Sequence, residues 1–146
     1  MLWFGWFGFN GFSQLAMGTF DDVNAISKIA VNTHLAGVAG TVSAAVVSRL
    51  LGGKTDIIMM LNGALAGLVA ITAEPLTPSP LLAIVIGAIG AIIMYFGTKF
   101  LEARHLDDVV GAIPVHMFAG IFGTLIVPIS NSDTNFGTQF TGVISV

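Results

Sequence analysis

One histidine within an apolar segment is the side chain of this sequence best placed to do chemistry. His116 follows Asp107 and Asp108 by about eight positions, and mostly apolar residues surround it. An ionisable side chain inside a membrane helix is costly, so it commonly marks a proton relay or a polar-solute pathway. Burial disfavours the charged imidazolium, and the neutral ring can both donate and accept a hydrogen bond. The alternative is a histidine that is simply hydrogen-bonded to a neighbouring helix.

The depth of His116 depends on where its helix begins. Acidic residues favour the N-terminal end of a helix, so we predict a helix start at Asp107 and Asp108. At about 1.5 Å of rise per residue, His116 would then lie roughly 12 Å into the helix, near the middle of a membrane. Pro114 leaves a backbone carbonyl without its usual partner and is expected to bend the helix.

The first segment combines aromatic rings, glycines and two polar side chains, Asn10 and Ser13. An aromatic belt at a membrane interface is one explanation of the rings. The glycines recur every three residues and could form a small face for helix packing. A third possibility is that the rings and polar groups hold a cation. The aromatic residues and glycines are Trp3, Phe4, Trp6, Phe7, Phe9, Phe12, Gly5, Gly8 and Gly11.

Other polar residues indicate no conventional catalysis. His34 is predicted near the outer end of a helix, where it reaches the interface, and His105 is predicted to be a solvated loop residue. The sequence contains no nucleophile elbow, Walker-type phosphate loop or HExxH motif, and no cysteine. We therefore predict that the protein is not an enzyme and that it needs no cofactor or metal.

Composition indicates an all-α polytopic membrane protein. The chain has 146 residues, of which 55% are hydrophobic and only 9% charged. Its mean hydropathy is +0.92. So few charges cannot form the polar shell of a small soluble domain. The net charge of −3 and the lack of a basic stretch argue against nucleic acid as a partner. The lipid bilayer is the expected environment.

The apolar stretches predict about five transmembrane helices and the start of a sixth in one membrane domain, 1–146. Arg49 and Lys54 flank the second loop, while Lys99 and Arg104 flank the fourth. The positive-inside rule places these two loops in the cytoplasm and the other three outside. Lys28 is an exception to the rule, since this prediction places it on the outer side. The predicted spans are 1–17, 27–51, 57–73, 81–101 and 109–129, with a further helix from 136 onward.

Glycines within these stretches predict tight helix packing. They are spaced three or four residues apart, which lets helix backbones approach closely in lipid. The pairs are Gly37 and Gly40, Gly63 and Gly67, Gly87 and Gly90, and Gly120 and Gly123.

Several motifs resemble the Amt/Mep/Rh ammonium transporters in order and spacing. That family has eleven helices, and this chain resembles helices six to ten plus the start of the eleventh. The resemblance therefore implies a partial ammonium-transporter fold. The motifs are W-F-G-F-N with Ser13 at 6–13, N-T-x-L-A at 32–36, G-K at 53–54, L-N-G-A-L-A-G-L-V-A-I-T at 61–72, and D-D…V-H at 107–116.

The resemblance implies a substrate pathway through His116, Phe9, Ser13, Trp6 and Asn10. Phe9 resembles an outer gating phenylalanine, Trp6 a pore-lining tryptophan and Ser13 a hydroxyl that recruits ammonium. His116 resembles the second of two pore histidines that share a hydrogen bond. The implied mechanism is capture of ammonium, its deprotonation, and passage of ammonia along an apolar pore.

The sequence also departs from the family pattern. Met117 and Phe12 stand where glycine is common, and both add bulk near the expected pore. The segment that carries the family's first pore histidine, after a D-x-A-G motif, has no counterpart here. We therefore expect a fragment that does not transport ammonium by itself.

The resemblance further implies a homotrimer in the cell membrane and a cytoplasmic regulatory protein for the full-length form. Two alternatives to a transporter remain. One is an ammonium-sensing membrane module of a signalling protein, and the other is a non-functional truncated remnant.

Overall fold

The computed structural model describes residues 1–145, which form helices joined by turns and loops without any strand. The all-α prediction is confirmed. A π-helical segment, the π segment, runs directly into α5. The elements are α1 Leu2–Phe12, α2 Phe20–Gly52, α3 Ile57–Thr72, α4 Pro80–Ala103, the π segment Ile113–Phe118, α5 Ala119–Ser130 and α6 Phe136–Ser145.

Polar caps fix the starts of α2, α3 and α4. Thr19 begins α2 through a capping box, in which Asp22 N donates to Thr19 Oγ1 at 3.2 Å and Thr19 N donates to Asp22 Oδ2 at 3.0 Å. Asp56 Oδ1 accepts two backbone N–H groups at the start of α3. Ser79 caps α4, which has Pro80 at its first position.

Two predicted loops have the wrong bounds. The second predicted span was expected to begin at 27, but α2 already begins at Phe20 because Thr19 and Asp22 form the capping box. The helix that carries His116 was expected to begin at 109, but the π segment begins at Ile113. Gly111 has a φ of 72°, in the left-handed region, which interrupts any helix through that position.

Close glycine contacts hold α2, α3 and α4 together. A Cβ atom at Gly40 of α2 would overlap the carbonyl oxygen of Gly63 in α3. The carbonyl of Ala36 is approached in the same way by Gly67 of α3 and by Gly87 of α4. Three helices thus meet at one turn of α2, as the glycine spacing predicts.

Three helical stretches are long and apolar enough to cross a membrane. They are α2 with 33 residues, α4 with 24, and the 18 residues of Ile113–Ser130. The other apolar helices are shorter, with 11 residues in α1 and 16 in α3. A helix needs about 20 residues to span the hydrocarbon region. Membrane crossing by α1 and α3 therefore remains a prediction.

Candidate functional site

His116 lies in the first turn of its helical stretch, not deep within it. The depth prediction was wrong because the helix begins at Ile113 rather than near Asp108. Asp108 does serve the helix start, since its Oδ1 and Oδ2 accept the N–H groups of Ala112 and Ile113, both at 2.9 Å. The acidic residue caps the helix from four and five positions upstream.

The irregularity predicted at Pro114 is present as the π segment. The N–H of Ala119 bonds to the carbonyl oxygen of Pro114, five residues earlier, in the pattern of a π-helix. Proline cannot donate from its own nitrogen, which removes one regular helical hydrogen bond. Single turns of π-helix are frequent at functional sites, and here the turn carries His116.

The indole of Trp6 lies nearly parallel to the imidazole of His116. Their ring centroids are 6.4 Å apart and the ring planes differ by 11°. Trp6 Nε1 donates to Thr72 Oγ1 at 2.7 Å, and the Thr72 hydroxyl donates to the carbonyl of Leu68, also at 2.7 Å. These hydrogen bonds fix the orientation of the indole, so α1, α3 and the π segment together define the pair.

A cavity of about 300 Å³ opens beside this pair. It is mainly apolar, and the side chains of Thr72 and Thr124 contribute hydroxyl groups. His116 is itself exposed, so the cavity is open in this chain. We call it the Trp6–His116 cavity; its lining residues are Trp6, Val69, Thr72, Ala73, His116, Gly120 and Thr124.

Phe9 lies beside the pair, but Phe9, Asn10 and Ser13 do not line the cavity. The rings of Phe9 and Trp6 meet edge to face with centroids 6.3 Å apart. The Ser13 hydroxyl donates to the Phe9 carbonyl at 3.1 Å, within its own helix turn. Asn10 is buried between α1 and α2, where its Nδ2 donates to Thr33 Oγ1 at 3.0 Å.

The structure agrees with the prediction for His105 and contradicts the one for His34. His34 lies in the middle of α2 rather than near its end, and its ring centroid is 5.6 Å from that of Trp3 and 6.2 Å from that of Phe7. His105 is an exposed loop residue, as expected. Neither Met117 nor Phe12, the two bulky departures, lines the Trp6–His116 cavity.

The glycines of α1 do not form one packing face within residues 1–145. A Cβ at Gly5 would meet no atom within 4 Å, and one at Gly8 would meet only Phe12. Gly11 alone faces another helix, at Ile26 of α2. The packing interpretation of this repeat thus holds for one of its three members.

Sequence reasoning missed Thr72, although it lies in the quoted 61–72 motif. Its contact with Trp6 joins positions 66 residues apart, and no local spacing indicates it. A threonine that ends a stretch of small and apolar residues was the available signal. Within residues 1–145, no group of three or more His, Asp or Glu side chains is arranged to hold a metal ion.

Comparison with known sequences decides the family. The sequence profile described as the Ammonium Transporter Family matches residues 1–145.

The chain belongs to the Ammonium Transporter Family.

Members of this family resemble the chain along nearly its whole length. Ammonium transporter Amt2 of Archaeoglobus fulgidus is 47% identical over 141 residues, which cover 97% of this chain and 29% of that protein. The solved structure of a Sensor Amt Protein superimposes with a TM-score of 0.90 at 35% identity, covering 99% of this chain and 37% of that one. The Mep2 structure from Candida albicans gives 0.88 at 25% identity, with coverages of 99% and 35%.

The chain therefore spans about a third of the length of these family members. The predicted resemblance to ammonium transporters is confirmed at the level of family and fold. Together with its three long apolar helices, family membership indicates a multi-pass membrane protein.

Proposed function

We propose that this chain forms part of a transmembrane pathway for ammonium and ammonia. The observation that carries the proposal is the near-parallel Trp6–His116 pair at 6.4 Å beside an apolar cavity. Family membership supports it, as does the name ammonium transporter for the relative that is 47% identical.

Capture of the cation begins at the aromatic rings. Phe9 is 65% exposed and meets the edge of Trp6, so their ring faces are accessible to a cation. An aromatic face attracts ammonium through its quadrupole. The Ser13 hydroxyl lies one helical turn beyond Phe9, and its oxygen can accept a hydrogen bond from ammonium. Asn10 anchors this part of α1 to α2 and acts in the pathway by positioning it.

Passage requires the loss of a proton. A hydrated cation does not enter an apolar cavity cheaply, whereas neutral ammonia does. The neutral imidazole of His116 has one nitrogen that donates and one that accepts a hydrogen bond. It can therefore guide ammonia through the cavity, and it can hold or return the proton. Thr72 keeps the Trp6 indole in place beside this ring.

The assembled protein is expected in the cell membrane, crossed by about five helices of this chain and the start of a sixth, as a homotrimer with one pore per subunit. A cytoplasmic regulatory protein is the expected partner of a full-length form. These features rest on the family resemblance, because the chain covers about a third of its relatives.

Uptake of methylammonium by transport-deficient cells tests the proposal. Residues 1–145 would replace the matching segment of the Archaeoglobus transporter, and His116→Ala would be compared with His105→Ala. We expect uptake by the unmodified chimera and a loss of at least about tenfold for His116→Ala, equivalent to ~1.4 kcal/mol. His105→Ala should have no effect, since that residue is exposed in a loop.

The 146-residue chain alone should give no saturable uptake, because its Trp6–His116 cavity is open. Saturable uptake by the chain alone would contradict this expectation. Unchanged flux and ion selectivity in His116→Ala would contradict its place in the pathway.

A second candidate function is ammonium sensing. The observation that favours it is the fold match with the Sensor Amt Protein at 35% identity and a TM-score of 0.90. A sensor would bind ammonium at the aromatic rings without flux. An ammonium-dependent fluorescence change of the chimera that is lost in its Trp6→Phe variant, combined with absent uptake, would favour sensing. A chimera without either response would favour a remnant.

A further inference from the structure

A second cavity, of about 450 Å³, lies at the opposite end of α2 from its Gly53 cap. It is formed by residues 27–32 of α2 and by residues 76–80, which lead from the α3–α4 loop into α4. The polar groups that line it include the Lys28 amine and the hydroxyls of Ser27, Thr77 and Ser79. We call it the Lys28 cavity; it shares no lining residue with the Trp6–His116 cavity.

The wall of the Lys28 cavity is held in a fixed shape by Asn32. This side chain is buried, and its Nδ2 donates to the carbonyls of Pro75 at 3.0 Å and Pro78 at 2.8 Å. The prolines restrict the backbone of the same loop. Ser79 further fixes the loop by capping α4. The cavity is thus a formed feature joining two elements, not a gap between mobile side chains.

Lys28 is the one formally charged residue that lines this cavity. Glu74 belongs to the same loop, but its Oε1 accepts the N–H groups of Leu76 and Thr77, and its Oε2 accepts from Asn131. Among residues 1–145, the ion pair that forms joins Lys99 to Glu102, and none involves Lys28. The Lys28 ammonium is therefore available to pair with an anion.

The depth of Lys28 follows from the lengths of α2 and α4. The 24 residues of α4 extend about 36 Å, so its first turn lies near the edge of a hydrocarbon layer of about 30 Å. Asn32 is tied to the loop just before that turn. The two helices run in the same direction, because Ala36 meets Gly87 and Gly52 approaches Tyr95. Lys28, four residues before Asn32, is therefore about 6 Å farther from the membrane centre.

That depth is the layer of lipid headgroups, which extends some 5 to 8 Å beyond the hydrocarbon on each side. The aliphatic side chains of Val31 and Leu76 line the cavity beside the polar groups. A ligand with a phosphate and attached acyl chains matches both parts, whereas a free phosphate matches only the polar one.

We propose that the Lys28 cavity binds the phosphate headgroup of an anionic phospholipid. The Lys28 amine pairs with the phosphate, and the Ser79 hydroxyl, whose oxygen accepts the Leu82 N–H, donates a hydrogen bond to one of the phosphate oxygens. A bound anionic lipid would account for a lone lysine on the side where the positive-inside rule expects none. The inference rests on membrane embedding and is independent of ammonium transport.

Native mass spectrometry of the purified chain in non-ionic detergent tests this site. Phosphatidylglycerol, phosphatidylcholine and glycerol 3-phosphate would be titrated against the unmodified chain, Lys28→Gln, Lys28→Arg and Lys54→Gln. We expect phosphatidylglycerol to bind more tightly than phosphatidylcholine. Lys28→Gln should weaken that binding about fivefold, the effect of one basic residue at an anionic lipid surface. Lys28→Arg and Lys54→Gln should bind as the unmodified chain does.

Equal weakening by Lys28→Gln and Lys54→Gln would overturn the site in favour of diffuse charge attraction. Unchanged binding by Lys28→Gln would overturn it outright. If glycerol 3-phosphate binds as tightly as the lipid and with the same dependence on Lys28, the site is one for free phosphate and the lipid assignment is wrong. Helical circular dichroism of each variant confirms that the fold is intact.

Discussion

The α2–α3–α4 centre and the α1 face follow opposite packing rules. In the centre, glycines let backbones touch, and Leu68 and Met94 are fully buried. On α1, large rings point outward, with Phe4 at 84% exposure and Phe9 at 65%. The centre is closely packed within this chain, whereas the α1 face and the adjoining Trp6–His116 cavity are open. Structural closure and the proposed chemistry therefore belong to different parts of the molecule.

The largest expected effect comes from breaking the close-packed centre. Gly40→Ala places a Cβ against the Gly63 carbonyl, which cannot yield because it is backbone. We expect the free energy of unfolding to fall by about 3 kcal/mol, the upper range for overpacking. Reversible unfolding of the detergent-solubilised chain, followed by circular dichroism, measures it.

Gly5→Ala is the matched control on the open α1 face. Nothing lies within 4 Å of a Cβ at Gly5, so this change should be neutral or slightly stabilising in a helix. Equal effects of Gly40→Ala and Gly5→Ala would contradict the contrast between the two regions.

The sequence indicated the centre better than it indicated the site. The packing of Gly40, Gly63 and Gly67 follows from spacing along individual helices, because any neighbour can approach a face without side chains. The Trp6–Thr72 hydrogen bond instead depends on how α1 crosses α3, which no local pattern specifies.

The start of the His116 helix was also only partly predictable, although it depends on residues that are close together in the sequence. The acidic residues correctly indicated a helix start, and Asp108 does cap it. The cap acts across a turn, however, and the left-handed Gly111 lies within that turn. Glycine permits this conformation without requiring it, so the sequence alone did not exclude a helix that begins at 109.

A smaller loss of stability is expected for a change at Asp108, which caps the helix that carries His116. Asp108→Ala removes the acceptor for both the Ala112 and Ile113 N–H groups at the start of the π segment. Loss of a cap typically costs about 1 kcal/mol and at most about 2. The same unfolding measurement applies, and Asp107→Ala is the control because its side chain accepts no hydrogen bond among residues 1–145. A greater loss from Asp107→Ala would show that the neighbouring carboxylate is the cap.

The smallest expected change concerns the orientation of the Trp6 indole. Thr72→Val keeps the side-chain shape but removes the hydroxyl that Trp6 Nε1 contacts at 2.7 Å. One net hydrogen bond contributes about 1 kcal/mol, so methylammonium uptake by the chimera should fall about fivefold. Overall stability should change little, since Thr72 is only partly buried and α3 keeps its core contacts.

The Thr124→Val variant distinguishes two causes of reduced uptake: a changed orientation of the Trp6 indole and a less polar cavity wall. Thr124 lines the same cavity but makes no hydrogen bond to Trp6. If cavity hydroxyls act only by making the wall polar, both valine variants should lower uptake equally. If the indole must be held against His116, only Thr72→Val lowers uptake. It should also broaden the orientation of Trp6, measured as lower fluorescence anisotropy of the purified 146-residue chain carrying Trp3→Phe, in which Trp6 is the remaining tryptophan. The second result would mean that the closed centre acts on the open face through one side chain of α3.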